Sequence, residues 1–154
     1  MARRSGRDEL GVEAWAAFIR AHAAVVSRIE EQLQRRQRLP IGWYDVLLEL
    51  NSAPGRRLRM QELGRKVTLS RSRVSRIIDD LTAAGLADRE ADPDDRRGSF
   101  AVITVAGRKV LRSAAPVYLR AIDEFFTSHL TDAQLRTLRD SLNRVRAAAD
   151  DSSR

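Results

Sequence analysis

The residues of this chain best equipped for chemistry are arginines, and three of them open one short stretch. In "TLSRSRVSRIIDDLTAAGL", residues 68–86, Arg71, Arg73 and Arg76 are interleaved with an apolar series of Val74, Ile77, Ile78 and Leu81. The apolar positions recur at i, i+3, i+4 and i+7, the pattern of one buried helix face. Ser70 stands where an N-cap belongs and Gly85 where the helix ends. The arginines therefore occupy the first turns and project away from the core. Cations there oppose the positive end of the helix dipole, so stability does not explain them. A negatively charged partner outside the fold does.

Other chemistries find few residues to carry them. The chain has no cysteine, which removes disulfides, thiolate metal sites and thiol redox sensing. Its two histidines, His22 and His129, are far apart in sequence, so no metal site is expected. The acid pairs Asp79–Asp80, Asp92–Asp94 and Asp94–Asp95 fall on diverging helix faces or in an exposed turn rather than a cleft. There is no glycine-rich phosphate loop and no nucleophile elbow. No catalytic residue, cofactor or enzymatic activity is expected.

The elements that must hold the arginines can be read on either side. A long amphipathic helix is predicted from about Asp8 to Arg36, with Val12, Trp15, Ile19, Val26, Ile29 and Leu33 on one face. "LPIGW" breaks it, "WYDVLLELN" forms a short helix, and "SAPGRRLR" reads as a loop. "MQELGRKV" is a further short helix, and "TLS" turns the chain into the arginine helix, giving a helix-turn-helix. "LADREAD" and "SFAVITV" have strand character around the charged tip "DPDDRRG", which makes a wing. From Thr104, as N-cap, a long helix follows, with Pro116 expected to kink it or mark an irregularity. "LTDAQLRTLRDSLNRVR" is a last amphipathic helix capped by Thr131, with Leu135, Leu138, Leu142 and Val145 on one face.

The chain of 154 residues is long enough for one domain with a real core, and its 43% hydrophobic and 32% charged residues suit a helix-rich globular protein. Residues 1–7 read as a short disordered tail, since no apolar secretory core follows "MARRSGRDE". With no apolar run of about 20 residues, no membrane span is expected and the location is cytoplasmic. The net charge is +7. Residues 56–76 hold eight cations (Arg56, Arg57, Arg59, Arg65, Lys66, Arg71, Arg73, Arg76) and one acid, Glu62, a local +7 equal to that of the whole chain. The helix-turn-helix is thus the electrostatic footprint, and nucleic acid is the first candidate partner. A membrane-surface role fits poorly, because the arginines of "SRSRVSRIIDD" cluster at one end and the acids at the other.

At this point the residues resemble a known family. From Tyr44 to Leu111 the chain looks like the core of the MarR-type winged helix-turn-helix regulators, most specifically in "LTAAGLADRE", "DPDDRRG" and "ITVAGRKVL". The resemblance implies a mainly α fold with a small β-wing: a winged core at about 42–107 within a domain spanning 8–148. Dimerisation helices at about 8–36 and 105–148 would flank that core. It implies a homodimer on a pseudopalindromic double-stranded DNA operator, usually as a repressor released by a small anionic aromatic ligand. Ser70, Arg71, Ser72, Arg73, Ser75 and Arg76 match positions facing the major groove, where arginine can bond guanine O6 and N7 and serine a phosphate or base edge. Arg96 and Arg97 match the wing tip that enters the minor groove, with Asp94 or Asp95 bracing one of them. Arg56, Arg57, Arg59 and Arg65 read either as phosphate contacts or as a solvated face.

A finer resemblance points to the urate-responsive branch, through Trp15, Asp45, Arg76 and Arg89. It implies a purine or anionic aromatic effector stacked on Trp15 and paired with the arginines. The plainer alternative is an Asp45–Arg89 salt bridge beside a buried Trp15. Ligand-independent architectural DNA binding, or a protein-interaction role for the winged helix, is the competing function.

Overall fold

The computed structural model describes residues 6–67 and 69–151, with the backbone alone at Arg96 and Arg97. Six helices and a three-stranded sheet are present among them: α1 (Gly6–Gln37), α2 (Ile41–Ser52), β1 (Arg57–Arg59), α3 (Met60–Lys66), α4 (Arg71–Ala83), β2 (Ala87–Asp92), β3 (Asp95–Ile103), α5 (Val105–Phe125) and α6 (Asp132–Asp151). Of the expected tail, residues 1–5 lie outside the described residues, while Gly6 and Arg7 already belong to α1. The chain divides into two units, residues 30–118 and the terminal segments up to Ile29 and from Leu119.

The central unit is the winged helix-turn-helix. Pro40 takes the N-cap position of α2 without a side-chain cap of its own, and the Glu30 carboxylate accepts the free Ile41 N–H at 2.8 Å instead. Helix α2 therefore starts two residues before the expected "WYDVLLELN", and it buries Tyr44, Val46, Leu47 and Leu50. The segment expected as a loop contains a strand, β1, in which Leu58 is buried and Arg57 and Arg59 face out. Three residues are too few for periodicity to reveal a strand. Pairing does: β1 lies antiparallel to β3 with Leu58 opposite Ala101, in the order β1-β3-β2.

Helix α4 forms as its pattern predicts. The Ser70 hydroxyl accepts the Arg73 N–H at 3.4 Å, and Val74, Ile77, Ile78 and Leu81 are buried. Each such side chain contributes about 1.5–3 kcal/mol relative to exposure. The helix ends in a Schellman arrangement, with Leu86 N–H on the Leu81 carbonyl at 2.8 Å and Gly85 N–H on that of Thr82 at 2.9 Å. Gly85 supplies the φ of +70° that this stop requires.

The start of α5 is locked to the same corner. The Thr104 hydroxyl donates to the Gly85 carbonyl at 2.8 Å and accepts the Gly107 N–H at 3.0 Å. Gly107 must stay small, because a Cβ there would lie 2.1 Å from the Leu86 carbonyl oxygen. Pro116 does not interrupt α5, which continues through it to Phe125.

In the terminal unit, Thr131 and Gln134 form a reciprocal capping box at the start of α6. The apolar faces there stay open. Leu10, Val12, Trp15, Phe18 and Ile19 on α1 and Leu119, Leu142 and Val145 are all exposed, and α6 buries no residue.

Candidate nucleic-acid interface

The arginines of α4 are set by its register. Its buried stripe runs through Val74, Ile77, Ile78 and Leu81, which leaves Arg71, Ser72, Arg73 and Arg76 exposed. No acid lies in its first turn. Ser70 is exposed as well, but its hydroxyl is engaged as the cap and lies 3.3 Å from that of Ser72. Ser75 is half-buried, and its hydroxyl accepts from Arg89 at 3.1 Å.

Salt bridges sort the basic stretch into two groups. Arg57 pairs with Glu90 at 3.4 Å, Arg59 with Asp92 at 3.0 Å and Lys66 with Glu49 at 3.8 Å. Arg57 and Arg59 also lie over the Phe100 ring, at 4.7 and 5.5 Å from its centroid. Among the described residues Arg56, Arg65, Arg71, Arg73 and Arg76 have no ion-pair partner. The positive charge left uncompensated therefore concentrates on α3, α4 and the turn before β1.

Asp92, expected in an exposed turn, is buried instead. Its side chain is only 1% exposed, and its contact with Arg59 is an ion pair without hydrogen-bond geometry on the buried Oδ2. The other oxygen accepts the Asp94 N–H at 3.0 Å, so Asp92 organises the wing turn. In sequence it is one of three aspartates in "DPDD", and only the register with β1 and β3 separates it from the others. Asp94 and Asp95 lie at the exposed tip. The Arg96 and Arg97 side chains, and with them the expected brace from Asp94 or Asp95, lie outside the described residues.

The four expected effector residues divide between the two units. Trp15 is 60% exposed on α1 of the single chain, in the terminal unit. Asp45, Arg76 and Arg89 belong to the central unit. The Asp45–Arg89 salt bridge of the plainer alternative does not form: Arg89 pairs with Asp79 at 2.7 Å. The reason is strand register. Arg89 stands opposite Ala101, on the face shared with the buried Ala87 and Ile103, and this turns it toward α4. Asp45 instead has acids as its charged neighbours. Burial first, then Glu49 and Glu30, push its carboxyl up to about 6.

No helix among the described residues is long and apolar enough to cross a membrane, and no group of three or more His, Cys, Asp or Glu there could hold a metal ion. A groove of about 300 Å³ lies beside α4, with Arg59, Arg71, Arg89 and Asp92 in its walls.

Comparison with known proteins agrees with this geometry. The profile of the MarR family matches residues 39–98. The crystal structure of Sco3205, a MarR family transcriptional regulator from Streptomyces coelicolor in complex with DNA, is 32% identical. It superposes with a TM-score of 0.85 over 96% of this chain and 91% of that one. AbsC, a MarR family transcriptional regulator from the same organism, is 27% identical with a TM-score of 0.84 over 97% and 99% of the two chains. The HTH-type transcriptional regulator MhqR of Bacillus subtilis is 33% identical over 86 residues, 56% of this chain and 59% of its own length. An arginine row without ion-pair partners among the described residues at the head of a helix-turn-helix, and 32% identity to such a regulator over 96% of the chain, place the chain in the MarR family of DNA-binding transcriptional regulators, which are not enzymes.

Proposed function

We propose that the chain is a cytoplasmic, sequence-specific repressor that binds a pseudopalindromic operator as a homodimer. The observation that carries this reading is the separation of charges. The cations of β1 are compensated by acids and an aromatic ring, while Arg71, Arg73 and Arg76 stand exposed on α4 without ion-pair partners among the described residues. With α4 in the major groove, Arg71, Arg73 and Arg76 reach base edges or phosphates, together with Ser70, Ser72 and Ser75. Arg96 and Arg97 enter the minor groove from the wing, with Asp94 or Asp95 as the brace. The exposed apolar residues of α1, α5 and α6 supply the dimer face.

Relief of repression falls to a small anionic aromatic or purine effector. Arg76 offers it a guanidinium without an ion-pair partner among the described residues. Such a ligand acts by preferring a conformation in which the two α4 helices miss their half-sites.

Selection of bound duplexes from a random DNA pool tests the reading. A two-fold-related motif with half-site centres about 10–10.5 base pairs apart is expected. Recovery of random sequence would favour architectural binding instead. Aromatic acids and purines titrated into the selected complex then test for release.

A further inference from the structure

Among Arg57, Arg59 and Arg89, only Arg89 takes the core-facing side of the sheet. Strand β2 alternates, so Ala87 and Arg89 share the face that meets Ile103 and Ala101 of β3. Ala87, Ala101 and Ile103 are buried there, but Arg89 lies where α4 crosses β2 and keeps its side chain 34% exposed. One nitrogen, Nη2, faces three acceptors: Asp79 Oδ1 at 2.7 Å, the Ser75 hydroxyl at 3.1 Å and the Ser75 carbonyl at 3.3 Å. Ser75 and Asp79 are four residues apart on α4 and so stand on one row of the helix surface. Arg71 is the next member of that row toward the N-terminus, and it shares the groove wall with Arg89.

We propose that Arg89 is a positioning residue that fixes the rotation of α4 against the root of the wing, and thereby aims the arginines that read DNA. The inference rests on the DNA reading above and adds a residue that touches no DNA. The apolar stripe of α4 decides which face is buried, but dispersion contacts are not directional and tolerate small rotations. A guanidinium held by a carboxylate and a hydroxyl of the same row is directional. Base readout needs its side chains within about 10–20° of their productive orientation. A rotation of about 15° moves a side-chain tip at the helix's outer radius of ~6 Å by about 1.5 Å. That is beyond the tolerance of a hydrogen bond. The clamp also ties wing to recognition helix, so the major- and minor-groove contacts keep their spacing.

The test compares the full wild-type chain with Arg89→Ala, Arg89→Lys, Asp79→Ala and the double variant Arg89→Ala/Asp79→Ala. Each is measured on the selected operator, on random duplex, and by amide hydrogen exchange without DNA. The preference for operator over random duplex should fall about tenfold in each alanine variant, and no further in the double, as for two groups acting through one contact. Arg89→Lys, whose ammonium can still meet Asp79, should recover most of that preference. The salt dependence of random-duplex binding should stay at the wild-type slope, because Arg89 supplies no phosphate contact. Exchange should quicken in β2 and α4 of the alanine variants and stay unchanged in α2. Single losses that multiply in the double variant would overturn the clamp. So would a shallower salt slope for Arg89→Ala, or preference and exchange both left at wild-type values. A wild-type chain with no operator preference removes the DNA reading and the aiming role with it, and exchange then reports separately on the contact itself.

Discussion

The division of the basic stretch into paired and unpaired cations gives the most direct test of the interface. Arg65 is exposed on α3 and has no ion-pair partner among the described residues, whereas Arg57 is held between Glu90 and the Phe100 ring. In a helix-turn-helix the first helix crosses the DNA backbone, which puts Arg65 near phosphate. Swinging Arg57 onto DNA would leave Glu90 facing a polyanion. Each phosphate contact contributes about −0.9 to the slope of log affinity against log salt, so Arg65→Gln in a dimer should make the slope shallower by about 1.8. Over a fourfold rise, from about 50 to 200 mM salt, the variant should lose about twelvefold less affinity than wild type. Arg57→Gln should leave the slope within about 0.5 of wild type on the same scale. Fluorescence anisotropy of a labelled random duplex at five or six salt concentrations reads both. Equal changes in the two variants would refute the sorting by ion pairs, and no change for Arg65→Gln would remove α3 from the interface.

Further outcomes follow from single sites. Arg73→Ala should relax selectivity at one base pair per half-site by roughly 1–3 kcal/mol; equal weakening on operator and random duplex would exclude base readout by that residue. The wild type should sediment as a dimer, and the double change Trp15→Asp and Phe18→Asp, at rings 6.0 Å apart on the open face of α1, should yield the 17.4 kDa monomer. Gly107→Ala should lower stability by roughly 1–3 kcal/mol in urea unfolding, because its new methyl meets the Leu86 carbonyl. Asp45 is raised from 3.8 to about 6 in the fold, so its contribution is present below pH 4 and is lost as pH rises through about 6. Asp45→Asn should therefore raise the urea midpoint at pH 7.5 and leave it nearly unchanged at pH 4.

Much of this protein is legible from local pattern. The stripe Val74, Ile77, Ile78, Leu81, the Ser70 cap and the Gly85 stop are decided within about four residues of chain, because helix hydrogen bonds and caps are local. The same holds for Thr104 and Thr131 as caps, and for the exposure of Arg71, Arg73 and Arg76, which is the complement of the buried stripe. Order and spacing of the wing motifs carry the family, since the hairpin and its tip are contiguous.

What tertiary structure alone decided is partnership across the sheet. Strand β1 is three residues long and exists because β3 offers it a pairing edge, which no window of sequence contains. Its register places Arg57 and Arg59 over Phe100 and chooses Asp92, not its neighbours in "DPDD", as the buried acid. Likewise Arg89 meets Asp79 rather than Asp45 because β2 alternates, and one residue of register decides which side of the sheet a charge occupies. Sequence determines how many charges the chain carries and on which local face. The long-range pairing of strands determines which of those charges are cancelled, and so which remain to meet DNA.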